Sequence, residues 1–254
     1  TKEGEANSGL FGGDQPADNS GVLNYLVVKF AGSAVDAQNE LNGIAFQGVG
    51  SGTEVDYVQV YNNLDDGVEF FGGTVNAKHV VLTGNADDSL DWTDGWVGNV
   101  QFLHIEQAAD AGDSGIEADN REGDAGATPV SEPNIANMTI AGSATERGIR
   151  LRRGTGLNLY NSEVSGSGSC LLIGTDSVPL LDAGITFQGV SLGCPTIVED
   201  GNQTVQDWLD ASPNVTQDGS TPPPVSVPGG DFFEQVDVIG SDLDDWGDGW
   251  TVTP

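Results

Sequence analysis

One short pattern returns along most of the chain. LNYLVV (23–28), VDYVQV (55–60), AKHVVL (77–82), VQFLHI (100–105), IANMTI (135–140), LYNSEV (159–164) and FQGVSL (187–192) all end in an apolar-x-apolar alternation. Such period-two patterning marks a half-buried strand. A second short strand follows most copies: GIAF (43–46), GVEFF (67–71), SLDW (89–92), GIEA (115–118) and GIRL (148–151). Val58, Val80 and Leu103 stand 22 and 23 residues apart, and Ile44, Val68, Leu90 and Ile116 stand 24, 22 and 26 apart. The longer steps coincide with Gly-, Asp- and Pro-rich inserts such as 119–133. Repeats of about 22 residues, made of short strands and glycine turns, describe the coils of a parallel β-helix. Leucine-rich repeats share the length, but their L-x-x-L-x-L framework is missing. A β-sandwich does not explain one motif keeping its phase over several units. The expected fold is therefore an all-β solenoid, a parallel β-helix with extended terminal segments.

Four regions follow from this pattern. Residues 1–19 read as an extended polar segment and 20–204 as the β-helix. Residues 205–230 hold a short helical stretch, VQDWLDA, and a proline-stiffened linker, TPPPVSVPGG. Residues 231–254 read as a β segment, from the alternation in FFEQVDVIG (232–240), packing on an open coil end or on a neighbouring subunit. The 39 acidic side chains outweigh 8 basic ones, for a net charge of -31. That charge repels nucleic acid and anionic membranes and favours cations. No apolar run approaches the length of a membrane span. Cys170 and Cys194 are not in a C-x-x-C spacing, which leaves free thiols or one disulfide. The extracellular character of the composition favours the disulfide.

The acids have a pattern of their own. In a β-helix, equivalent residues of successive coils stack at ~4.8 Å. Aligning the second strands puts Asp66, Asp88 and Ser114 in one column and Asp65, Asp87 and Asp113 in the column beside it. Glu69, Asp91 and Glu117 make a third column, pointing outward while Val68, Phe70, Leu90, Trp92 and Ile116 point inward. Two unit charges ~4.8 Å apart repel by roughly 3.5 kcal/mol at an effective dielectric near 20. Several such contacts are intolerable without protons or cations between them. A hard divalent ion bound by oxygens fits, and calcium, with six to eight loosely arranged ligands, fits better than magnesium. Several Ca2+ ions are expected, with Asp65, Asp66, Glu69, Asp87, Asp88, Asp91, Asp94, Asp113, Glu117 and Asp119 as candidate ligands. No EF-hand or G-G-x-G-x-D repeat is present, so the site type rests on stacking alone. In the next coil TERGIRLRRG (145–154) supplies Arg147, Arg150, Arg152 and Arg153, four of the eight basic residues. These are expected to close the acidic ladder by pairing with Glu117 and Asp119.

NSGVLNYLVVKFAG, NELNGIAFQGVGSGTEVDYVQV, DDGVEFFGGTVNAKHVV, DDSLDWTDGWVGNVQF, RGIRLRRGTGLNLYNS and the C-terminal DDWGDGWT are similar to a widespread group of secreted bacterial proteins, named as hypothetical lipoproteins or surface proteins. The resemblance covers most of 18–175 and the last twenty or so residues. It implies a right-handed parallel β-helix exported to the outer cell surface or beyond, and upstream coils before Thr1. It carries no activity.

Three functional classes compete. A polysaccharide lyase or hydrolase would draw on Lys78, His79 and His104 with Arg150 and Arg152, but the same acids recur over several coils and single out no catalytic site. A calcium-dependent glycan-binding surface module would use Trp96 and Trp250 as stacking surfaces. The favoured expectation is a non-catalytic, calcium-stabilised extracellular scaffold or filament subunit. Its partners would be further copies of itself, joined head to tail through a terminal segment, or cell-surface components. DWTDGW at 91–96 returns as DWGDGW at 245–250, and this second acidic-Trp motif then reads as an acid-bearing coil set against an open end. Asn137, Asn202 and Asn214 head N-x-[ST] triplets, a pattern that arises often by chance.

Overall fold

The computed structural model describes residues 2–3, 9–33 and 41–252. Residues 1, 4–8, 34–40 and 253–254 belong to the expected N-terminal segment, first coil and C-terminal segment, and lie outside the described residues.

A short antiparallel pair, β1 (Lys2–Glu3) and β2 (Leu10–Phe11), precedes the solenoid. Each coil then contributes one long and one short strand. The coils are β3 (Val22–Lys29) with β4 (Ile44–Gln47), β5 (Glu54–Tyr61) with β6 (Val68–Phe71), and β7 (Ala77–Thr83) with β8 (Leu90–Thr93). They continue as β9 (Asn99–Glu106) with β10 (Ser114–Asp119), β11 (Asn134–Ala141) with β12 (Arg147–Arg152), and β13 (Leu157–Ser165) with β14 (Ser169–Ile173). The last is β15 (Ile185–Gly193) with β16 (Thr196–Val198). Helix α1 (Gln203–Ala211) and strand β17 (Val215–Thr216) follow. Long strands β3 to β15, with β17, form an eight-stranded sheet, and the short strands a seven-stranded one; every pairing within both is parallel. The molecule is a right-handed parallel β-helix.

Inward residues repeat with a slip. Val55, Val58 and Val60 are buried, as are Val100, Leu103 and Ile105 in the same phase two coils later. The spacing of three, then two, arises because one residue per long strand is left-handed. Tyr25, Tyr57, His79, Phe102, Asn137, Asn161 and Gly189 have φ of 54°, 53°, 49°, 60°, 53°, 47° and 67°. Each strand bends there, so the eight-stranded sheet is folded along a line. Left-handed backbone costs a non-glycine residue about 1–2 kcal/mol. Stacking offsets it: Tyr25 on Tyr57 at 4.5 Å, Tyr57 on His79 at 4.3 Å, and His79 on Phe102 at 4.9 Å between ring centroids. At Gly189 a Cβ would come 2.6 Å from the Asn161 side-chain oxygen, so the column ends in a glycine.

Helix α1 covers the last coil. Asn202 caps it by accepting from the Thr204 and Val205 N–H groups, and Val205, Trp208 and Leu209 are buried. Trp208 packs edge-on against Phe187 at 5.2 Å and donates to Asp182 at 2.9 Å. Cys170 and Cys194 form a disulfide between the last two coils.

The C-terminal segment departs from expectation. Among the described residues beyond β17 no strand forms, and Leu243–Trp246 make one helical turn, α2. The segment lies on the outer face of the eight-stranded sheet of its own chain, held by side-chain amides. Asn161, Gln101 and Gln59 each donate to and accept from the main chain of one residue, Val225, Glu234 and Val252 respectively, at 2.7–2.8 Å. The second acidic-Trp motif is therefore not a coil: Trp250 sits edge-on to Tyr25 and Tyr57, and Trp246 edge-on to His79.

Candidate metal centre

The parallel register of the short strands sets up the site. Glu69 pairs with Asp91, Asp91 with Glu117, and Glu117 with Arg150, forming one outward column across four coils. The Asp-Asp doublets just before β6 and β8 lie beside it. Four groups of three carboxylates result, each with ligand atoms within 4.8 Å of one another. They are Asp65, Asp66 and Asp87; Asp66, Glu69 and Asp91; Asp88, Asp91 and Glu117; and Asp87, Asp88 and Asp113. Asp66, Asp91, Asp88 and Asp87 each belong to two groups, so the four close into a ring.

Most of the ring is sheltered from water, Asp87 being exposed and Asp113 partly so. Asp66 is 7% exposed, Asp88 4%, Glu69 8% and Glu117 8%. Oδ1 of Asp88 and Oδ1 of Asp91 are enclosed and accept no hydrogen bond among the described residues. Burial, followed by the charges of Glu69 and Asp88, pushes the Asp66 carboxyl well above the usual carboxylate range. Burial, then Glu69 and Asp66, does the same to Asp91. Asp88 is pushed up to about 8, by burial first and then by Glu117 and Asp87. Glu117 is raised by burial, which outweighs the opposing Arg152 and Arg150 charges. Enclosed carboxylates of this kind need protons or cations to be stable.

The arginine coil closes one side. Arg150 pairs with Asp113 at 3.0 Å and Glu117 at 2.5 Å, and Arg152 pairs with Glu117 and, at 2.9 Å, Asp119. Arg147 joins Asp113 to Glu199, and Arg153 binds Asp119. Two expected ligands thus stand outside the ring. Asp119 is taken by Arg152 and Arg153. Asp94 lies in the following turn with φ 59°, paired with Lys2 and, at 3.1 Å, with Arg121.

The other singled-out residues gather elsewhere. Lys78 bonds Glu234 at 2.9 Å, His79 bonds Asp56 at 2.7 Å, and His104 bonds Ser241 at 3.0 Å. All three lie on the eight-stranded sheet, beside or beneath the C-terminal segment, apart from the carboxylate ring. Burial holds His104 below the usual imidazole value. Trp96 is fully buried, its ring stacked 4.0 Å from Phe70 and its N–H donated to the Val75 carbonyl; it offers no face to a sugar. Trp92 fills the core and donates to Thr155 at 2.9 Å. Asn137 is fully buried, its amide donated to the Val238 carbonyl. The amide clamps and the left-handed column were not anticipated from sequence; the three-then-two spacing of inward residues was the signal for the latter.

No helix among the described residues is long and apolar enough to cross a membrane. Residues 1–251 match the family model described as a pectate-lyase like beta helix domain. No curated protein and no solved structure matches the chain.

Proposed function

The chain belongs to the pectate-lyase-like β-helix family, and from that premise we propose that it is a calcium-stabilised extracellular scaffold whose ions are structural. The ring of carboxylates, sheltered except at Asp87 and Asp113, supports this reading. Three carboxylates per position, with neighbouring turn carbonyls, suit a large hard cation that tolerates loose geometry. Shared ligands would let ions occupy consecutive coils as an array. A catalytic ion needs an open coordination position facing substrate, whereas the groups of Asp66, Glu69 and Asp91 and of Asp88, Asp91 and Glu117 are sheltered, the exposed side of the ring lying at Asp87. Arg150 and Arg152, the charge stabilisers a polysaccharide-cleaving enzyme would draw on, are committed to Asp113, Glu117 and Asp119. The disulfide suits an oxidising exterior. As a scaffold the protein would meet copies of itself or cell-surface components. A head-to-tail filament joined by the C-terminal segment finds less support, because that segment is bound along its own sheet and α1 covers the last coil.

Metal analysis of protein dialysed against calcium, with thermal melts in calcium and in chelator, tests the proposal. More than one bound ion per chain and a melting point lowered by tens of degrees in chelator are expected. Superimposable melts would reject it.

A further inference from the structure

One end of the solenoid is closed and the other open. Helix α1 covers the last coil, whereas β3 and β4 are the terminal strands of the two sheets, and among the described residues no element lies beyond them. Leu23, Leu26 and Val28, which β3 turns inward, are only partly buried, while their counterparts Val55, Val58 and Val60 in the next coil are buried. β3 pairs with β5 along one side only, so its other side presents a row of unpaired N–H and carbonyl groups. The chain ahead of β3 does not supply the missing strand. It runs back along the flank, where the Ser51 N–H donates to the Pro16 carbonyl at 2.9 Å, Phe11 meets Phe71, and Lys2 reaches Asp94 two coils on.

This edge lacks the charges that normally keep sheet edges apart. Residues 19–33 and 41–53 hold no carboxylate and one base, Lys29, in a chain with 39 acids. The two acids between Asp18 and Glu54, Asp36 and Glu40, fall outside β3 and β4. Two molecules of net charge -31 repel each other, and β3 with β4 adds nothing to that repulsion. Apolar surface gathers here instead: Val22 is 63% exposed, Tyr25 61% and Phe30 67%. Tyr25 is also the end of the ring column, stacked on Tyr57 on one side only.

We propose that β3 is a self-association edge, to which a second copy of this chain adds its own β3 antiparallel, joining two solenoids end to end by their first coils. Setting inward side chains against inward ones puts Leu23 opposite the second copy's Leu26, Val22 opposite its Val27 and Asn24 opposite its Tyr25. The two tyrosines then lie side by side, and the ring columns of both molecules continue across the junction. Such a contact is isologous and closes at two copies. With α1 over the opposite end, the product is a dimer and not a filament. The contact rests on the first coil and owes nothing to the ions of the carboxylate ring.

Sedimentation velocity on the full chain in saturating calcium, over a micromolar range of concentration, tests it. A reversible monomer–dimer equilibrium is expected, tightened by added salt, which screens the like net charges. Tyr25→Asn removes the ring and keeps a residue suited to left-handed backbone, as Asn137 and Asn161 are in the same column. It should weaken the dimer at least tenfold, and so should Val22→Glu, whereas Val97→Glu, in the turn after β8, should leave it unchanged. Amide protection of 22–29 should rise with concentration while that of 134–141 stays constant. A monomer at every concentration, assemblies that grow beyond two copies, a dimer loosened by salt, or one indifferent to both β3 substitutions would each overturn the assignment. Because calcium is present throughout, such a failure leaves the structural role of the ions untouched, and that role is read separately from the chelator melts.

Discussion

Asp88 and Asp91 lie between like charges with little water to screen them, so their protonation is tied to folding. A carboxyl whose pKa is higher folded than unfolded binds more protons in the folded state, and stability falls as pH rises through the interval between the two values. For Asp88 that interval runs from 3.8 to about 8. Without metal, its contribution is fully present below the lower value and lost as pH climbs through the upper one. Asp66 and Asp91 act in the same direction. Urea melts in chelator should therefore show a protein distinctly weaker at about pH 8 than at about pH 5, and calcium should flatten that slope by taking the protons' place. Equal slopes with and without calcium would mean that the ion does not sit among these acids. Arg150 makes the complementary case. Arg150→Ala strips Glu117 of one of its two guanidinium partners while leaving it buried, and should cost up to about 3 kcal/mol in denaturant unfolding.

Among the elements, the outer segment and the strands beneath it are joined unlike anything within the solenoid. Gln59, Gln101 and Asn161 act as side-chain surrogates for strand pairing, each closing two hydrogen bonds on one residue of the segment. Gln101→Ala leaves the Glu234 N–H and carbonyl without those partners, a loss of about 1–3 kcal/mol. The loss should appear as faster amide exchange over 225–252 with protection of the sheets unchanged; uniform loosening of both would show that the segment is part of the main cooperative unit. This junction also marks how far the sequence could be read. The coils were legible because stacking forces the same inward positions to recur, and the arginine closure because register follows from that recurrence. Strand identity, however, depends on neighbours. LDWT at 90–93 is extended because β6 and β10 flank it in register. The near-identical DDWG at 244–247 has no ladder beside it and turns into a helix. FFEQVDVIG alternates like a strand, yet Lys78, Gln101 and Asn137, far back in the chain, are what hold it, and no local pattern encodes that. Asp94 was expected among the ligands because it shares a motif with Asp91, but the left-handed turn at 94 swings it to Lys2 and Arg121.

Across the whole molecule, charge and covalent restraint are distributed unequally along the axis. The carboxylate ring spans the coils of β6, β8 and β10. The arginines, the disulfide and the capping helix belong to the coils from β12 onward. In a solenoid each coil touches chiefly its neighbours, so stability is close to a sum of coil and interface terms, and one region can open while another holds. Removing calcium should then act unevenly. In chelator near neutral pH, repulsion among the ring carboxylates loosens 44–119, whereas 134–198 keeps its cross-link, its cap and the Arg147–Glu199 pair. Hydrogen exchange with peptide resolution, in calcium and in chelator, should show protection collapsing in the first span and largely retained in the second. Arg150→Ala should move that boundary toward the C-terminus, since Arg150 is where the acidic column meets its counter-charge. Loss of protection spread evenly over all coils would mean that the solenoid unfolds as one unit, and that ions in the ring stabilise the chain as a whole instead of the coils that bind them.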